Sequence, residues 1–198
     1  MGCFWEPSES LLEVDGVIDT VVGYTGNPFA TQAPTYDSVC YSRQPWVEGV
    51  RVRYDDEKLS YEQLLNEFFE RQKSKVGSRQ YASVIFTNDK EQEAIAKQWM
   101  IDNSTRIRTD GWTTQMTSIE PTTKFYQAEG YHQRYWQKQR PRLATILVML
   151  AVASGIFDSI TPEAYQSVVA SVANTLGLLV GGWILLERLI DSKVIELD

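Results

Sequence analysis

The sequence predicts an α+β fold: a two-layer sandwich of helices on a mixed, mostly antiparallel sheet, followed by an apolar helical hairpin. Strand-like segments and amphipathic helical segments alternate through residues 1–140, as they do in such sandwiches. The composition then changes, because two long runs without charge fill much of residues 141–198. We therefore predict two domains, residues 1–140 and residues 141–198.

The N-terminal elements follow from local signals. A short amphipathic helix is predicted at residues 6–14, where a proline suits the first turn and apolar residues share one face. Cys3 therefore precedes the N-terminus of a helix. A β-rich segment at residues 17–24 runs into a loop of Gly, Pro, Asn and Thr that ends near Pro34.

The middle of the domain alternates in the same way. Residues 47–54 have the period of two that a strand with one buried face requires. Residues 60–72 begin with a Ser cap and carry apolar residues at helical spacing. The remaining elements are predicted as a strand at 81–86, a helix at 91–100 and a weak strand at 115–119.

Charge and cysteine content exclude several classes of protein. The 26 acidic and 19 basic residues give a net charge of −7, and the basic residues are scattered, so we expect no nucleic-acid partner. Two cysteines, Cys3 and Cys40, are too few for a disulfide framework and lack the spacing of a zinc site. We therefore expect no metal and a reducing compartment. We recognise no signal peptide in these residues.

The apolar C-terminal runs predict a pair of membrane-spanning helices. Residues 143–157 carry no charge over 15 residues, and residues 168–186 carry none over 19. Spanning a bilayer takes about 20 residues, and the basic flanks of both runs fall on one side, as the positive-inside tendency requires. Small residues would let the two helices approach closely. They are Ser171, Gly177, Gly181 and Gly182. The alternative is a pair of soluble helices packed on the domain or on a partner.

Cys3 is placed to react. Unpaired N–H groups at a helix N-terminus favour the thiolate form of a cysteine, which is the nucleophilic form. Phe4 and Trp5 would form an apolar wall that holds a methyl group of a substrate while the sulfur attacks. The alternative is that Cys3 is a small buried hydrophobe and the two aromatic side chains belong to the core.

Six stretches of sequence together resemble one enzyme family. They are GCFW, VDGVIDTVVGYTG, PTYDSVC, EGVRVRYD, QYASVIFTNDKEQE and FYQAEGYHQRY. In this order they resemble the A-type peptide methionine sulfoxide reductases and cover roughly residues 2–140. The resemblance implies an α+β fold and a reaction in which a cysteine attacks the sulfoxide sulfur, methionine leaves and a sulfenic acid remains.

The resemblance also implies roles for individual residues. Cys3 matches the nucleophile, and Glu48 matches the acid that protonates the sulfoxide oxygen. Tyr36 and Tyr81 match the two tyrosines that hydrogen-bond the same oxygen. Phe4 and Trp5 match the methyl-binding wall. His132, the single histidine, matches a residue that supports the loop of the site. Without the resemblance, a Glu on a strand is usually solvated, and a tyrosine such as Tyr81 is usually packing.

The sequence departs from the family pattern at several positions. Trp46 stands where the family usually has His, Lys75 stands about where an aspartate is expected, and Gly130 replaces an acidic residue. No cysteine follows Cys40, so the sulfenic acid would be reduced by an external thiol or attacked by Cys40. We favour the external route, with thioredoxin, glutaredoxin or glutathione as reductant and no bound cofactor.

Two functions of different classes fit these observations. The first is a peptide-methionine (S)-S-oxide reductase that repairs oxidised protein methionines near a membrane, with residues 143–190 in the membrane or a membrane complex. Its N-terminal domain would lie on a reducing side, in the cytosol, stroma or matrix. The alternative is a catalytically impaired protein of the same fold that serves as a structural or assembly subunit of a photosynthetic or respiratory complex.

Overall fold

A computed structural model describes residues 2–41, 44–71, 79–104 and 117–197. These residues form two compact units, residues 1–133 together with 193–198, and residues 134–192. The helices of the first unit are α1 (Trp5–Leu12), α2 (Tyr36–Tyr41), α3 (Tyr61–Arg71) and α4 (Lys90–Asp102), with a 3₁₀ turn at Gly130–His132. Its strands are β1 (Val17–Thr25), β2 (Val47–Tyr54), β3 (Ser83–Thr87), β4 (Thr117–Pro121), β5 (Phe125–Gln127) and β6 (Ile195–Leu197).

The strands form two sheets. The larger is antiparallel, with the order β2-β1-β5-β6, and the smaller pairs β3 with β4 in parallel. Within the larger sheet, Val22 lies opposite Val50 and Tyr24 lies opposite Glu48. The prediction of helices combined with a mixed, mostly antiparallel sheet is confirmed.

Glycines permit two close approaches that shape the first unit. Gly16 has a φ of +92°, and a Cβ at this position would lie 2.7 Å from Cβ of Leu59. Gly23 lies where β5 pairs with β1, and a Cβ there would lie 2.3 Å from the carbonyl oxygen of Tyr126. The tight packing of β5 on β1 therefore requires a residue without a side chain at position 23.

Two apolar clusters hold the first unit together. One contains Phe4, Val22, Tyr24, Val39, Trp46, Tyr126 and Ala128, and the other contains Leu65, Ile85, Ala96 and Trp99. The second cluster joins α3 to α4, with the rings of Phe69 and Trp99 stacked at 4.6 Å. The first cluster positions the site, because it joins the residue after Cys3 to strands β1 and β5.

Most predicted elements are present, with small shifts at their ends. The first helix begins at Trp5, one residue before the predicted start, and β2 has the predicted bounds. Ser60 caps α3, since its hydroxyl accepts the N–H of Gln63 at 3.2 Å while the Gln63 amide oxygen accepts the N–H of Ser60 at 2.7 Å. The predicted strand at 115–119 appears as β4, and residues 115 and 116 lie outside the described residues.

Three elements were not predicted: helix α2 and strands β5 and β6. Strand β5 has three residues, too few to show a period, and its partners β1 and β6 are distant in sequence. Strand β6 follows the apolar runs and pairs antiparallel with β5 in the first unit. Short strands such as these are stabilised by pairing with distant segments, which local sequence does not report.

The second unit is an antiparallel hairpin of α5 (Tyr135–Ala153) and α6 (Glu163–Ile190). Near its open end, Lys138 Nζ lies 3.0 Å from Glu187 Oε1, and Arg142 pairs with the other oxygen of the same carboxylate. The Glu187 side chain is 10% exposed, so these two cations neutralise a largely buried charge. The predicted helical hairpin is thus confirmed.

Of the three glycines predicted to let the two helices approach closely, one lies next to the other helix. A Cβ at Gly177 would lie 3.7 Å from Cβ of Met149, whereas Cβ atoms at Gly181 and Gly182 would have no described neighbour within 4 Å. By length and composition, one helix among the described residues is able to cross a membrane, Glu163–Ile190. The uncharged part of α5, residues 143–153, is only about 16 Å long.

Candidate active site

Cys3 lies two residues before α1, next to its N-cap residue Phe4, so it precedes a helix N-terminus as predicted. Its thiol is exposed, and its side chain hydrogen-bonds the carboxyl of Glu48. The next residue, Phe4, donates its backbone N–H to Glu48 Oε2 at 3.2 Å. The start of α1 is therefore attached to the neighbouring strand β2, and the thiol is held beside an acid.

Glu48 is 5% exposed, and this burial explains why the pKa of its carboxyl is raised. Burial disfavours the charged form and raises the pKa of its carboxyl to about 7. Hydrogen bonds from Gln80, Phe4 and Cys3 oppose this rise, because each stabilises the carboxylate. At neutral pH the carboxyl therefore has both protonated and ionised populations, which suits a group that must give a proton.

Tyr36 and Tyr81 lie in the same electrostatic environment as Glu48. Tyr36 is the first residue of α2 and hydrogen-bonds Cys40, and burial raises its pKa above the usual range. Burial and the nearby Glu48, followed by Cys3, raise the pKa of Tyr81 to about 12. Both phenols thus keep their protons at neutral pH and can donate hydrogen bonds. The structure brings Cys3, Glu48, Tyr36 and Tyr81 together from separate parts of the chain.

Phe4 and Trp5 differ in their surroundings. Phe4 is 2% exposed and packs in the core, with its ring centroid 5.9 Å from that of Tyr24. Trp5 is half-buried and donates its indole N–H to His132 Nδ1 at 3.0 Å. The sequence-based alternative was a buried Cys3 with both aromatic side chains in the core. Phe4 does lie in the core, whereas Cys3 is exposed and Trp5 is partly open to solvent.

His132 lies at the centre of an aromatic cluster. Its ring centroid is 5.3 Å from that of Phe4, 5.6 Å from that of Trp5 and 5.0 Å from that of Tyr36. Because Nδ1 accepts the indole N–H, the neutral ring carries its proton on Nε2. His132 thus accepts the Trp5 indole N–H from a buried position.

Sequence reasoning missed Glu129, a buried carboxylate that joins three elements of the site. Glu129 is 4% exposed and accepts the hydroxyl of Tyr24 at 2.8 Å and the backbone N–H of Tyr36 at 3.2 Å. Burial and this carboxylate hold the pKa of Tyr24 far above its usual value. Glu129 lies in the quoted FYQAEGYHQRY stretch, but nothing in the sequence shows that its carboxylate reaches β1 and α2.

Gln80 was also missed. It lies directly before Tyr81, is 8% exposed and donates its amide N–H to Glu48 Oε1. The same amide nitrogen lies 3.3 Å from Cys40 Sγ, so the second thiol is part of the same hydrogen-bonded group. The sequence around Gln80 does not indicate this role, because the residue that Gln80 contacts, Glu48, lies 32 positions away.

The departures from the family pattern have different structural settings. Trp46 is buried and donates its indole N–H to Gln44 at 2.8 Å, so it serves the core beside the site. Gly130 begins the 3₁₀ turn that carries His132. Lys75 lies outside the described residues. Among the described residues, no group of three or more His, Cys, Asp or Glu side chains is arranged to hold a metal ion.

A cavity of about 690 Å³ extends from Glu48 between β2, α3 and β3. Phe4 and Glu48 line it, but Cys3, Tyr36 and Tyr81 are not among its described lining residues. Of the four candidate reactive residues, Glu48 alone is among the described residues that line this cavity.

An exposed thiol beside a buried carboxyl and two protonated phenols is suited to attack by sulfur together with protonation of an oxygen. The arrangement is that of a thiol-dependent enzyme. A family model described as peptide methionine sulfoxide reductase matches residues 1–158.

Individual relatives agree. The peptide methionine sulfoxide reductase MsrA of Rhodospirillum centenum is 37% identical over 147 residues, covering 70% of this chain and 66% of that protein. The MsrA of Methanosarcina mazei is 38% identical over 148 residues, covering 70% and 67%. The structure of methionine sulfoxide reductase A of Corynebacterium diphtheriae matches with a TM-score of 0.61 and 28% identity, over 70% of this chain and 71% of that one.

The chain belongs to the peptide methionine sulfoxide reductase family. The predicted family, its α+β fold and its class of enzyme are confirmed. The match spans about two thirds of the length of the first two relatives.

Proposed function

We propose that the chain is a peptide-methionine (S)-S-oxide reductase. The Cys3 sulfur attacks the sulfoxide sulfur while Glu48 gives its proton to the sulfoxide oxygen. The hydroxyl then passes to the Cys3 sulfur: the substrate S–O bond breaks, an S–O bond on Cys3 forms and methionine leaves. Cys3 is then a sulfenic acid, and its thiol proton replaces the one that Glu48 gave, so the sulfoxide is reduced by two electrons and the thiol is oxidised by two. The observation that carries this proposal is the contact between the exposed thiol and a buried carboxyl whose pKa is about 7.

The remaining site residues bind and orient the substrate. Tyr36 and Tyr81 donate their hydroxyls to the sulfoxide oxygen, which bears negative charge before it is protonated. Trp5, with the buried Phe4 behind it, holds the methyl group, and His132 fixes the plane of the indole. These roles follow the family motif at each position, and the hydrogen bonds and burial described above support them.

Regeneration requires an external thiol. One thiol of the reductant attacks the sulfenic sulfur and releases water, and a second thiol reduces the resulting mixed disulfide, so Cys3 returns to its starting state. A thioredoxin-like protein, glutaredoxin or glutathione supplies both thiols, and no bound cofactor takes part. The exposure of Cys3 supports this route, because a protein reductant must reach the sulfur.

A single-turnover assay tests the reaction. Wild type without reductant should form about one methionine per Cys3 from free methionine-S-sulfoxide, because the sulfenic acid then blocks further attack. Cys3→Ser should form none. Cys40→Ser removes the other thiol and should still yield about one methionine per Cys3, although its rate is expected to change because Cys40 contacts Tyr36 and Gln80. No methionine from folded wild type would contradict the proposal and favour the structural or assembly role.

We further propose that the hairpin attaches the enzyme to a membrane and that substrates are oxidised methionines in proteins near it. Helix α6 has 28 residues, about 42 Å of helix, and exposes large apolar side chains such as Leu178, Leu179 and Trp183. A bilayer core is about 30 Å thick, so α6 is long enough to cross it. On this proposal residues 1–140 are the catalytic domain, on a reducing side of the membrane, and the anchor lies within residues 141–198, whose strand β6 pairs with β5 of the first unit.

Flotation of the full chain with phosphatidylcholine vesicles tests the anchor. Leu178→Lys places a charge on the exposed apolar face of α6, which opposes insertion by about 3 kcal/mol. Ile101→Lys is the matched control, since Ile101 is a similarly exposed apolar residue on α4. Wild type and Ile101→Lys should float and Leu178→Lys should float less; wild type that stays in the soluble fraction would contradict the anchor.

A further inference from the structure

The side-chain amide of Gln80 connects two groups of the site. Its nitrogen donates to Glu48 Oε1 and lies 3.3 Å from Cys40 Sγ, while the backbone carbonyl of Gln80 accepts the N–H of Glu48 at 3.0 Å. Gln80 and Glu48 are therefore joined through both backbone and side chain. At 8% exposure, Gln80 makes these contacts with little competition from water.

The orientation of this amide is determined by its neighbours. The amide nitrogen donates to Glu48 Oε1, which accepts this bond both when the carboxyl is ionised and when its proton is on Oε2. The sulfur of Cys40 accepts from the same nitrogen at 3.3 Å, so one nitrogen makes both contacts. Cys40 on α2 therefore helps to hold the amide against the acid.

Gln80 and Phe4 together constrain the Glu48 carboxyl. The Phe4 N–H occupies Oε2 and the Gln80 amide occupies Oε1, so each oxygen has one donor and the plane of the carboxyl is defined. A proton on the acid then takes one of the remaining lone-pair directions. The side chain of Cys3 also hydrogen-bonds this carboxyl, so the acid lies next to the thiol.

We propose that Gln80 is a positioning residue for the reductase reaction: its amide holds the Glu48 carboxyl so that the acidic proton faces a sulfoxide bound at Cys3. This inference rests on the proposed function. It concerns a residue that acts through Glu48, since Gln80 itself is buried behind the acid and does not touch the substrate.

The groups that face Glu48 determine how its titration should respond. Cys3 faces it from the start of α1 and Phe4 donates from the same segment. Tyr24 faces it from β1, Tyr36 faces it from α2, and Tyr81 follows Gln80. Burial raises the pKa of Glu48, and the Gln80 hydrogen bond is the strongest of the described interactions that lower it. Removing the Gln80 donor should therefore let the pKa rise.

The test is the pH dependence of single-turnover methionine formation by the full chain with free methionine-S-sulfoxide. The wild-type rate should fall with a midpoint at about pH 7 as Glu48 loses its proton. Gln80→Met keeps the length of the side chain but removes both contacts, and should raise this midpoint by about one pH unit and lower the rate below the midpoint about tenfold. Gln80→Glu, which adds a like charge, should raise the midpoint further.

Gln44→Met is the matched control, because Gln44 bonds Trp46 and Asn27 and makes no described bond to Glu48. Its midpoint should stay at the wild-type value. A role of Gln80 in stability alone would lower the free energy of unfolding and leave the midpoint in place. An unchanged midpoint and rate in folded Gln80→Met, with an active wild type, would overturn the inference.

Carbon NMR of labelled glutamate gives a second measurement that needs no turnover. The Glu48 carboxyl signal is identified by its absence in Glu48→Gln, and its titration should move to higher pH in Gln80→Met or, where that variant does not fold, in Gln80→Glu. An inactive wild type refutes the proposed function and, with it, the catalytic role of Gln80. If the Glu48 titration does not shift in the variant, the Gln80 amide does not hold the Glu48 carboxyl, whether or not the wild type is active.

Discussion

The buried Glu48 carboxyl should give the stability of the protein a defined pH dependence. Its pKa is about 7 in the folded protein against 4.5 for an ordinary Glu, so the folded state holds a proton that the unfolded state has lost. This contribution favours the folded state below about pH 4.5 and is lost as the pH rises to about 7. The difference in pKa corresponds to about 3 kcal/mol, which applies in full because the group is only 5% exposed.

Comparison with Glu48→Gln isolates this contribution. The variant loses or rearranges hydrogen bonds from Phe4 and Gln80, but that change is independent of pH. The free energy of unfolding of wild type minus that of Glu48→Gln should therefore fall by about 3 kcal/mol between about pH 4.5 and about pH 7. Above this range the difference should be constant.

Urea unfolding of the full chain in one detergent, followed by tryptophan fluorescence at a series of pH values, measures this difference. The comparison removes the contribution of the hairpin, because both proteins carry it. A difference that stays constant within about 0.5 kcal/mol over the whole range would refute the argument that burial dominates the Glu48 carboxyl. If the difference instead decreases as the pH is lowered below about 4.5, the hydrogen bonds to the Glu48 carboxylate outweigh the effect of burial.

Three further substitutions test the surrounding structure. Tyr24→Phe removes the hydroxyl bound to Glu129 and should lower the free energy of unfolding by about 2 kcal/mol in urea; an unchanged value would show that Glu129 does not depend on this donor. His132→Phe removes the acceptor of the Trp5 indole N–H. It should raise KM for methionine sulfoxide about fivefold with little change in kcat. An equal loss in kcat would contradict a role limited to orienting Trp5. Ser60→Ala removes the cap of α3 and should cost about 1 kcal/mol of stability without altering single-turnover activity, and a loss of activity would show that α3 reaches the site.

Local patterns were sufficient for the longer elements of the fold. The alternation in residues 47–54 reproduces the bounds of β2, and the Ser60 cap signal is present as a reciprocal pair of hydrogen bonds. Both signals depend on neighbours within a few residues, which is why the sequence carries them. The three-residue strands β5 and β6 gave no such signal, because their hydrogen-bonding partners are distant.

The candidate site shows the same division. The motif residues Cys3, Glu48, Tyr36 and Tyr81 were predicted through the resemblance, and the tertiary structure brings them into one electrostatic environment. Gln80 and Glu129 were not predicted, since a polar residue shows its role only through the atoms it reaches. Phe4 was predicted as part of a wall that contacts the substrate. Its side chain is buried in the core, and a sequence motif does not report burial.

The sequence by itself determined the α+β class, the longer helices and strands, the apolar hairpin and the chemistry available at Cys3, because these depend on residue type and short-range order. The tertiary structure alone decided the protonation behaviour of Glu48, the use of Gln80 and Glu129, and the pairing of β6 with β5. Those properties depend on burial and on contacts between segments far apart in the chain, and burial is produced only when the chain folds.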